Sequence, residues 1–332
     1  MTVTTSSATH KTYQQAKKGI ILINFGSPMT LTKSGIRTFL WRLLTDQRVV
    51  SLPRLLWWPI LLGFILPFRP KRLIHDYERI WLEKGSPLLV YHDELTHALN
   101  AHLPEYEVTQ AHLYADPSLK TAWQSLKKKG VRQVLLLPLY PQYASATTAS
   151  VLDVWHKVMQ KELFVPGFRF VASYHDDPMY IQALASSVRD HWQKTGKRSH
   201  LIFSYHGIPK EKFDQGDPYY CYCHKTTRLV AESLGLTETD YSMAFQSRFG
   251  KQTWLKPYLN EHIKSLIESG QRELTVICPG FSFDCIETTH EVGFEYQAEA
   301  QELGGHLSLV PCLNNSKEAF NLYQSIIQNT VF

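Results

Sequence analysis

Residues 124–148 read QSLKKKGVRQVLLLPLYPQYASATT, and residues 264–288 read KSLIESGQRELTVICPGFSFDCIET. Each stretch passes from a helix-like segment through a glycine to a run of mostly apolar residues and then to a turn. When the two stretches are aligned from their first residues, five positions are identical, namely Ser125/Ser265, Leu126/Leu266, Gly130/Gly270, Arg132/Arg272 and Thr148/Thr288. The two stretches therefore predict two copies of one helix–strand–turn unit.

A second repeated motif also indicates an internal duplication. The sequence FGSP at 25–28 has a counterpart in HGIP at 206–209. More of the chain lies between Phe25 and Gln124 than between His206 and Lys264, so the first half has additional residues between the two landmarks. The pattern predicts two related lobes, with an insertion in the first lobe only.

Short apolar runs that alternate with helical stretches predict an α/β fold. Eight runs are typical of strands, at 19–24, 107–113, 133–139, 169–173, 201–205, 241–245, 274–278 and 307–310. Between them, the segments 120–128, 180–194, 225–234 and 253–269 place apolar residues at helical spacing. Such alternation indicates parallel sheets with helices on both faces, and eight strands indicate two sheets rather than one.

Length and composition place the chain among globular proteins. It has 332 residues, of which 44% are hydrophobic and 20% charged, which excludes a largely disordered chain. The net charge of +5 is too small to indicate nucleic-acid binding, and it suits an anionic small molecule or an anionic membrane surface. Five cysteines and a polar start at residues 1–18 predict no disulfide framework and no signal peptide, and hence a cytoplasmic protein.

One apolar stretch departs from the alternating pattern. Residues 52–68 read LPRLLWWPILLGFILPF and include three prolines. We reject a transmembrane span, because such a helix needs about 20 apolar residues and prolines leave backbone groups unpaired in lipid. Two interpretations remain: a buried part of the core, or a hydrophobic lip that covers an apolar ligand or enters a membrane face. The lip is favoured by two tryptophans and by the basic residues that follow, which are Trp57, Trp58, Arg69, Lys71 and Arg72.

A histidine at a strand end is the first candidate for chemistry. His206 directly follows the predicted strand 201–205 and precedes a glycine that permits a tight turn. A histidine held there is well placed as a base or a metal ligand, because imidazole exchanges protons near neutral pH. Phe25 and Phe281 also lie at strand ends, and with Trp254 they offer flat apolar surfaces. Together with the lip, these rings indicate a large planar apolar ligand.

An acidic row near the end of the second copy is the other candidate. Asp284, Glu287, Glu291 and Glu295 follow one another at spacings of three, four and four residues. A helix would place them along one face. This row is either a solvated surface or a path that passes cations or protons from a pocket to the surface.

These motifs together resemble the ferrochelatase family, whose enzymes insert ferrous iron into a porphyrin to make haem, and in particular its Gram-negative bacterial members. The matching stretches are INFGSP (23–28), LPRLLWWPIL (52–61), KGSPL (84–88), LPLYPQYASATT (137–148), SYHGIP (204–209), QSRFG (246–250), WLKPY (254–258) and PGFSFDCIET (279–288). They occur in the family's order and cover most of the chain. SYHGIP and the DCIET segment are the most specific.

The resemblance implies a fold of two Rossmann-like lobes, each a four-stranded parallel sheet flanked by helices. We expect residues 19–165 and 313–330 to form the first lobe, which carries the lip. We expect residues 166–312 to form the second lobe, which carries the candidate histidine and glutamate. A C-terminal helix at 316–327 is expected to return to the first lobe.

The resemblance also assigns roles to matching positions. It implies that His206 and Glu287 are the catalytic residues and the ligands of incoming Fe²⁺. His206 either takes the pyrrole protons or hands over iron. We favour the first role, with Glu287 assisting proton removal or metal passage. Six further positions are expected to bind the porphyrin, which are Phe25, Trp57, Ser86, Gln246, Trp254 and Phe281. Phe25 is expected to face His206 across the macrocycle.

The implied substrates are protoporphyrin IX and Fe²⁺, and no group is expected to be permanently bound. An iron–sulfur cluster is not expected, because Ser145 stands where some relatives have a cysteine and no cysteine follows Cys312. The alternatives are a chelatase for coproporphyrin or another divalent metal, and a non-catalytic tetrapyrrole-binding protein. Contact with the inner membrane would be peripheral, through residues 52–68. The sequence leaves open whether the protein is a monomer or a homodimer.

Overall fold

The computed structural model describes residues 17–250 and 252–330, which contain two sheets of four parallel strands each. The strands are β1 (Lys17–Asn24), β2 (Tyr106–His112), β3 (Val131–Pro138), β4 (Gly167–Phe170), β5 (His200–His206), β6 (Tyr241–Gln246), β7 (Glu273–Ile277) and β8 (His306–Leu309). All eight predicted strands are confirmed to within three residues at each end. The predicted polar start lies outside the described residues, apart from Lys17 and Lys18.

Helices connect the strands and cover both faces of the sheets. The α-helices are α1 (Lys33–Leu44), α2 (Arg54–Ile60), α3 (Leu66–Glu78), α4 (Pro87–His102), α5 (Leu119–Lys128), α6 (Ser150–Met159), α7 (Pro178–Thr195), α8 (Lys210–Asp214), α9 (Tyr219–Leu234), α10 (Leu259–Glu268), α11 (Gln297–Glu302) and α12 (Lys317–Thr330). Three π-helical segments are π1 (Leu61–Ile65), π2 (Ser145–Ala149) and π3 (Ile286–Tyr296). The helix predicted to start at residue 253 starts six residues later, because Trp254 instead pairs with Pro209 in an extended bridge.

The two sheets confirm the duplication. Their strand orders are β2-β1-β3-β4 and β6-β5-β7-β8, which are the same order in the two halves. The helices α5 and α10 begin and end at equivalent positions of the alignment, as the repeated sequence predicts. In each sheet the order reverses between its two central strands, and open parallel sheets bind ligands at the carboxyl ends of such strands.

The carboxyl ends of the two sheets face each other. The Ser282 hydroxyl, just after β7, donates a hydrogen bond of 2.7 Å to the carbonyl of Leu139, just after β3. The Gln142 side chain likewise donates to the Thr226 hydroxyl at 3.0 Å. Buried residues from β1, β3 and β5 belong to one hydrophobic core. The two lobes therefore contact each other directly and share one hydrophobic core.

The border between the lobes falls later than predicted. The strand β4 pairs in parallel with β3, so the first sheet extends to Phe170, past the expected boundary between residues 165 and 166. The next helix, α7, leads from β4 to β5 and so links the two sheets. The C-terminal helix α12 packs against both α7 and α4 of the first lobe, close to the predicted helix at 316–327.

The insertion in the first lobe forms an exposed lip, consisting of α2, π1 and α3. Its buried residues Leu61 and Leu66 belong to a small core that also contains residues of α1. Its outer side exposes six large apolar residues, which are Leu55, Leu56, Ile60, Leu62, Phe64 and Phe68. Leu55 is 89% exposed, so the interpretation of this stretch as buried core is wrong. Within residues 17–250 and 252–330, no helix combines the length and apolarity that crossing a bilayer requires.

Candidate active site

Two strand ends occupy equivalent places in the two lobes. His206 is the last residue of β5, and Phe25 directly follows β1 at the duplicated position. Both lie at the carboxyl ends of central strands, where the strand order reverses. The duplication thus places an imidazole in one lobe where the other lobe has a phenyl ring.

The ring of His206 is held in one tautomer. Its Nδ1 lies 2.6 Å from the carbonyl oxygen of Gly207. Because a carbonyl only accepts hydrogen bonds, Nδ1 carries the hydrogen, and Nε2 of the neutral ring keeps its lone pair. The ring of Trp254 lies alongside, with 6.3 Å between ring centres. A Cβ on Gly207 would come within 2.9 Å of that indole, so this turn needs glycine.

Glu287 lies in the first turn of π3 and is half-buried. Its backbone carbonyl accepts a hydrogen bond of 2.5 Å from the Gln246 side chain, which ties π3 to the end of β6. Burial raises the pKa of the Tyr77 hydroxyl, and the charge of Glu287 raises it further. The same two causes raise the pKa of the Cys285 thiol. The carboxylate therefore lies close to a tyrosine of the lip and to the start of π3, a helix type that is frequent at functional sites.

Glu291, a second carboxylate of π3, is a site residue that sequence reasoning did not single out. It accepts hydrogen bonds from the backbone N–H of Ser247 at 2.8 Å and from the Tyr296 hydroxyl at 2.9 Å. The Ser247 hydroxyl also donates to it. Burial raises the pKa of the Glu291 carboxyl, and these hydrogen bonds and the charge of His206 partly offset that rise. The only sequence signal is its spacing of four residues from Glu287.

The outer members of the predicted acidic row have other partners. The Asp284 carboxylate, which precedes π3, accepts hydrogen bonds from the backbone N–H of Cys312 at 2.9 Å and from the Asn314 side chain at 2.7 Å. Glu295 is exposed, and its carboxylate lies 3.8 Å from the ring of His290. The path through this row stays a prediction, and its two middle members lie closest to the other candidate residues.

Aromatic rings surround Phe25 in the first lobe. Its ring meets Tyr114 at 4.8 Å and Tyr140 at 6.1 Å between centres, edge-on in both cases. The Tyr140 hydroxyl and the Trp254 indole N–H are buried and have no hydrogen-bond partner within the described residues.

Several predicted porphyrin contacts lie inside the protein. The Ser86 hydroxyl donates to a second buried serine hydroxyl at 2.7 Å, and Gln246 is only 1% exposed. The Trp57 indole donates to a carbonyl of α1 at 2.7 Å, which anchors the lip. Phe281 is half-buried against the core. The contact of these four side chains with a macrocycle stays a prediction.

A polar cavity of about 710 Å³ lies between the lobes, beside the segment that follows His206. Residues of both lobes line it, among them Arg48, Tyr143, Pro209, Lys212 and Tyr222. Its volume falls in the range typical of small-molecule sites. His206 and Glu287 are not among its lining residues. The cavity therefore adjoins the predicted site and does not enclose it.

The described part of the chain contains no group of three or more His, Cys, Asp or Glu side chains that could hold a metal ion. The predicted contact of Fe²⁺ with His206 and Glu287 during delivery stays a prediction. The backbone N–H of Ser145 donates to the Asp217 carboxylate at 2.7 Å. The expectation of no iron–sulfur cluster also stays a prediction.

Comparison with known sequences places the chain among well-described relatives. A family model described as Ferrochelatase matches residues 17–331. The ferrochelatase of Pseudoalteromonas atlantica is 42% identical, over 96% of this chain and 91% of that protein. The ferrochelatase of Aeromonas hydrophila subsp. hydrophila is 45% identical, over 94% of this chain and 98% of that protein.

Comparison with solved structures confirms the predicted fold. SirB from Bacillus subtilis with Fe3+ has a TM-score of 0.60 at 12% identity, covering 94% of this chain and 95% of that chain. The sirohydrochlorin chelatase SirB from Bacillus subtilis subspecies spizizenii in complex with cobalt has a TM-score of 0.57 at 9% identity, covering 94% of each chain. At this identity the likeness shows the fold alone, which is the two-lobed α/β fold of chelatases.

Proposed function

The chain belongs to the ferrochelatase family, and from that premise we propose how it inserts Fe²⁺ into protoporphyrin IX to form protohaem. A free porphyrin is a stiff planar ring with two pyrrole N–H protons. Metal enters only when the ring bends and both protons leave. The site must therefore supply a base, a route for Fe²⁺ and a surface that holds the ring in a bent form.

His206 accepts a pyrrole proton on Nε2. The fixed hydrogen bond from Nδ1 to Gly207 leaves Nε2 as the acceptor, and this tautomer is the single observation that carries the proposal. The Glu291 carboxyl, held by Ser247 and Tyr296, lies near enough to His206 for the two groups to interact electrostatically. Because the ring lies at a strand end beside Trp254, its orientation is established before substrate arrives.

Glu287 assists removal of the second proton or passes Fe²⁺ towards the ring. Carboxylate and imidazole are both acceptable ligands for Fe²⁺, so either task suits the chemistry of the pair. Its anchored backbone and half-buried side chain support a role at a defined place rather than on a mobile surface. Glu291, one turn along π3, is held by Ser247 and Tyr296 and keeps a second negative charge in this region.

The first lobe supplies the apolar surface for the macrocycle. Phe25 is braced by Tyr114 and Tyr140 at the strand end equivalent to that of His206. The insertion that forms the lip adds exposed apolar residues to the same lobe. Burial of the ring's hydrocarbon rim against such surfaces can offset the energy of bending it.

The decisive experiment replaces His206 by alanine. We expect the His206→Ala variant to lose at least about 100-fold in turnover while still binding protoporphyrin, because the side chain removes a proton and is not the main binding surface. Anaerobic mixing with Fe²⁺ and protoporphyrin would be followed by the haem absorption bands and by porphyrin fluorescence. The exposed His306→Gln exchange is the matched control.

Two outcomes of this experiment would contradict the proposal. Unaltered turnover in the His206→Ala variant would remove His206 from the mechanism. Porphyrin fluorescence that persists with the unmodified protein would instead support a non-catalytic tetrapyrrole-binding protein.

The exposed apolar lip favours protoporphyrin over coproporphyrin as substrate. Leu55, Phe64 and Phe68 are exposed on the lip, which is the insertion in the first lobe. A coproporphyrin carries four carboxylates and would favour a polar mouth, whereas protoporphyrin is apolar enough to arrive through lipid. Comparison of kcat/KM for the two porphyrins, and for Fe²⁺ against other divalent metals, separates these alternatives.

The same surface supports peripheral contact with the cytoplasmic face of the inner membrane. Arg69, Lys71 and Arg72 are exposed directly after the apolar residues of the lip. Basic side chains at this place would meet anionic headgroups while the apolar side chains enter the interface. Whether the protein acts as a monomer or a homodimer is open to measurement by light scattering.

A further inference from the structure

Gln246 links the elements that carry the candidate catalytic residues. Its side-chain oxygen accepts hydrogen bonds from the Ser204 hydroxyl at 2.6 Å and from the Cys278 thiol at 3.5 Å. Its side-chain nitrogen donates to the carbonyl of Glu287 at 2.5 Å. Its backbone carbonyl accepts from Gly207, the residue after His206, at 2.8 Å. One residue therefore touches the backbone next to the imidazole and the backbone of the glutamate itself.

Ser247 continues the same linkage to the next turn of π3. Its φ of 63° lies in the left-handed region, which is unusual for a residue other than glycine. This turn lets both its backbone N–H and its hydroxyl donate to the Glu291 carboxylate. Gln246 and Ser247 thus hold two successive turns of π3, at Glu287 and at Glu291.

We propose that Gln246 is a positioning residue that sets the separation between His206 and Glu287 and does not touch the macrocycle. Its 1% exposure and its internal hydrogen bonds through both ends of the amide support this role over that of a pocket wall. The inference rests on the proposed function, because positioning matters only if the two side chains act together.

Only an amide of this length fits the network. One end must accept from Ser204 and Cys278, and the other end must donate to Glu287. A glutamate would place acceptors at both ends and add a buried charge, and a methionine would fill the volume without donating. Either change removes the side-chain donor to the Glu287 carbonyl, so we expect the start of π3 to move.

The test measures the kinetics of Gln246→Glu and Gln246→Met. We expect kcat for Fe²⁺ insertion to fall by about 100-fold, because small displacements of reacting groups are that costly. We expect KM for protoporphyrin and its binding, measured by fluorescence, to change by less than about twofold. A rise in KM with kcat retained would show that Gln246 is a wall contact and would overturn the proposal, as would unchanged kinetics.

A second variant keeps the test decisive if both substitutions prevent folding. Ser204→Ala leaves Gln246 in place and removes one of the bonds that orient its amide. We expect kcat to fall several-fold, by about five to tenfold, with KM unchanged. An unaltered kcat in this variant would also overturn the proposal.

Gln301→Glu, on the exposed surface of α11, is the matched control that should leave both constants unchanged. Absence of insertion in the unmodified protein would instead count against the proposed function itself.

Discussion

His92 and His112 form a buried pair in the first lobe. Nδ1 of His92 and Nε2 of His112 lie 3.0 Å apart, and Nδ1 of His112 lies 3.1 Å from the carbonyl of Asp116. Because that carbonyl only accepts, His112 donates to it and His92 donates to His112. Nε2 of His92 is then an unpaired acceptor within the described residues. Burial lowers the pKa of His112 to about 4 and that of His92 well below its usual value.

This pair predicts an acid-sensitive stability. Both rings are neutral in the folded protein, while the unfolded chain binds protons below about pH 6.5. The free energy of unfolding should therefore fall as the pH drops below about 6.5, by up to about 1.4 kcal/mol per pH unit for each ring, and the contribution of His112 should level off near its folded pKa of about 4. Urea unfolding at stepped pH measures this slope.

The control for this prediction removes both rings at once. In the double variant His92→Leu/His112→Leu no buried imidazole resists protonation, so the slope between pH 6.5 and 4 should be shallower. The exposed His306→Gln exchange should leave the slope as it was. Equal slopes in all three proteins would contradict the assignment.

At the residue scale, the sequence could indicate His206 from its strand end, whereas the acidic spacing marks four residues alike and only the family resemblance selected Glu287. It could not separate Glu291 from Asp284, since both are acids in one row. That choice depends on where π3 begins and on the left-handed backbone of Ser247, which no periodicity encodes.

At the element scale, strands were more predictable than helices. The central strands are mostly apolar because helices cover both faces, and all eight strands were found within three residues. The π-helical segments π2 and π3 were not predicted, because a π-turn differs from an α-turn by one hydrogen-bond register and not by residue type. The start of α10 was misplaced, because residues 253–258 mix apolar and polar positions much as a helix would.

The lip makes a prediction of its own. If its apolar side chains enter a membrane, replacing Leu55 or Phe64 by serine should weaken binding to anionic lipid vesicles by about tenfold each, given the hydrocarbon area lost. Vesicle sedimentation measures this, and added salt should weaken binding further because exposed basic residues of α3 lie in the same lip.

Leu163 provides a matched control for the lip variants. It is an apolar residue that is fully exposed outside the lip, between α6 and β4. Leu163→Ser should leave vesicle binding unchanged. Equal losses in all the variants would indicate a general effect of surface apolarity, and no loss in any would count against membrane contact through the lip.

At the scale of the whole molecule, a few buried bonds join the lobes. The Ser282 hydroxyl donates to Leu139 and accepts from the Tyr323 hydroxyl of α12, at 2.7 and 3.0 Å. Ser282→Ala leaves a buried carbonyl unpaired, so it should lower the free energy of unfolding by about 1–3 kcal/mol. Because the lobes share one core, urea unfolding should remain a single transition with a shifted midpoint.

The control here is Ser125→Ala on the exposed surface of α5, which should leave the midpoint nearly unchanged. Two separate transitions would show that the lobes unfold independently, which would contradict the shared core.

At this scale the duplication and the two sheets could be predicted from repeated sequence. The border between the lobes could not, because β4 at the edge of the first sheet carries no repeat signal of its own.

The duplicated positions have diverged in chemistry: Phe25 stands where the other half has His206, and Thr147 of π2 stands where it has Glu287 of π3. A porphyrin in solution has two nearly interchangeable sides. Between such unequal halves one side would meet hydrocarbon and the other would meet titratable groups, so the protein desymmetrises its ligand. Proton removal then takes place on one face of the macrocycle. Two identical lobes related by twofold symmetry would present the same groups to both faces.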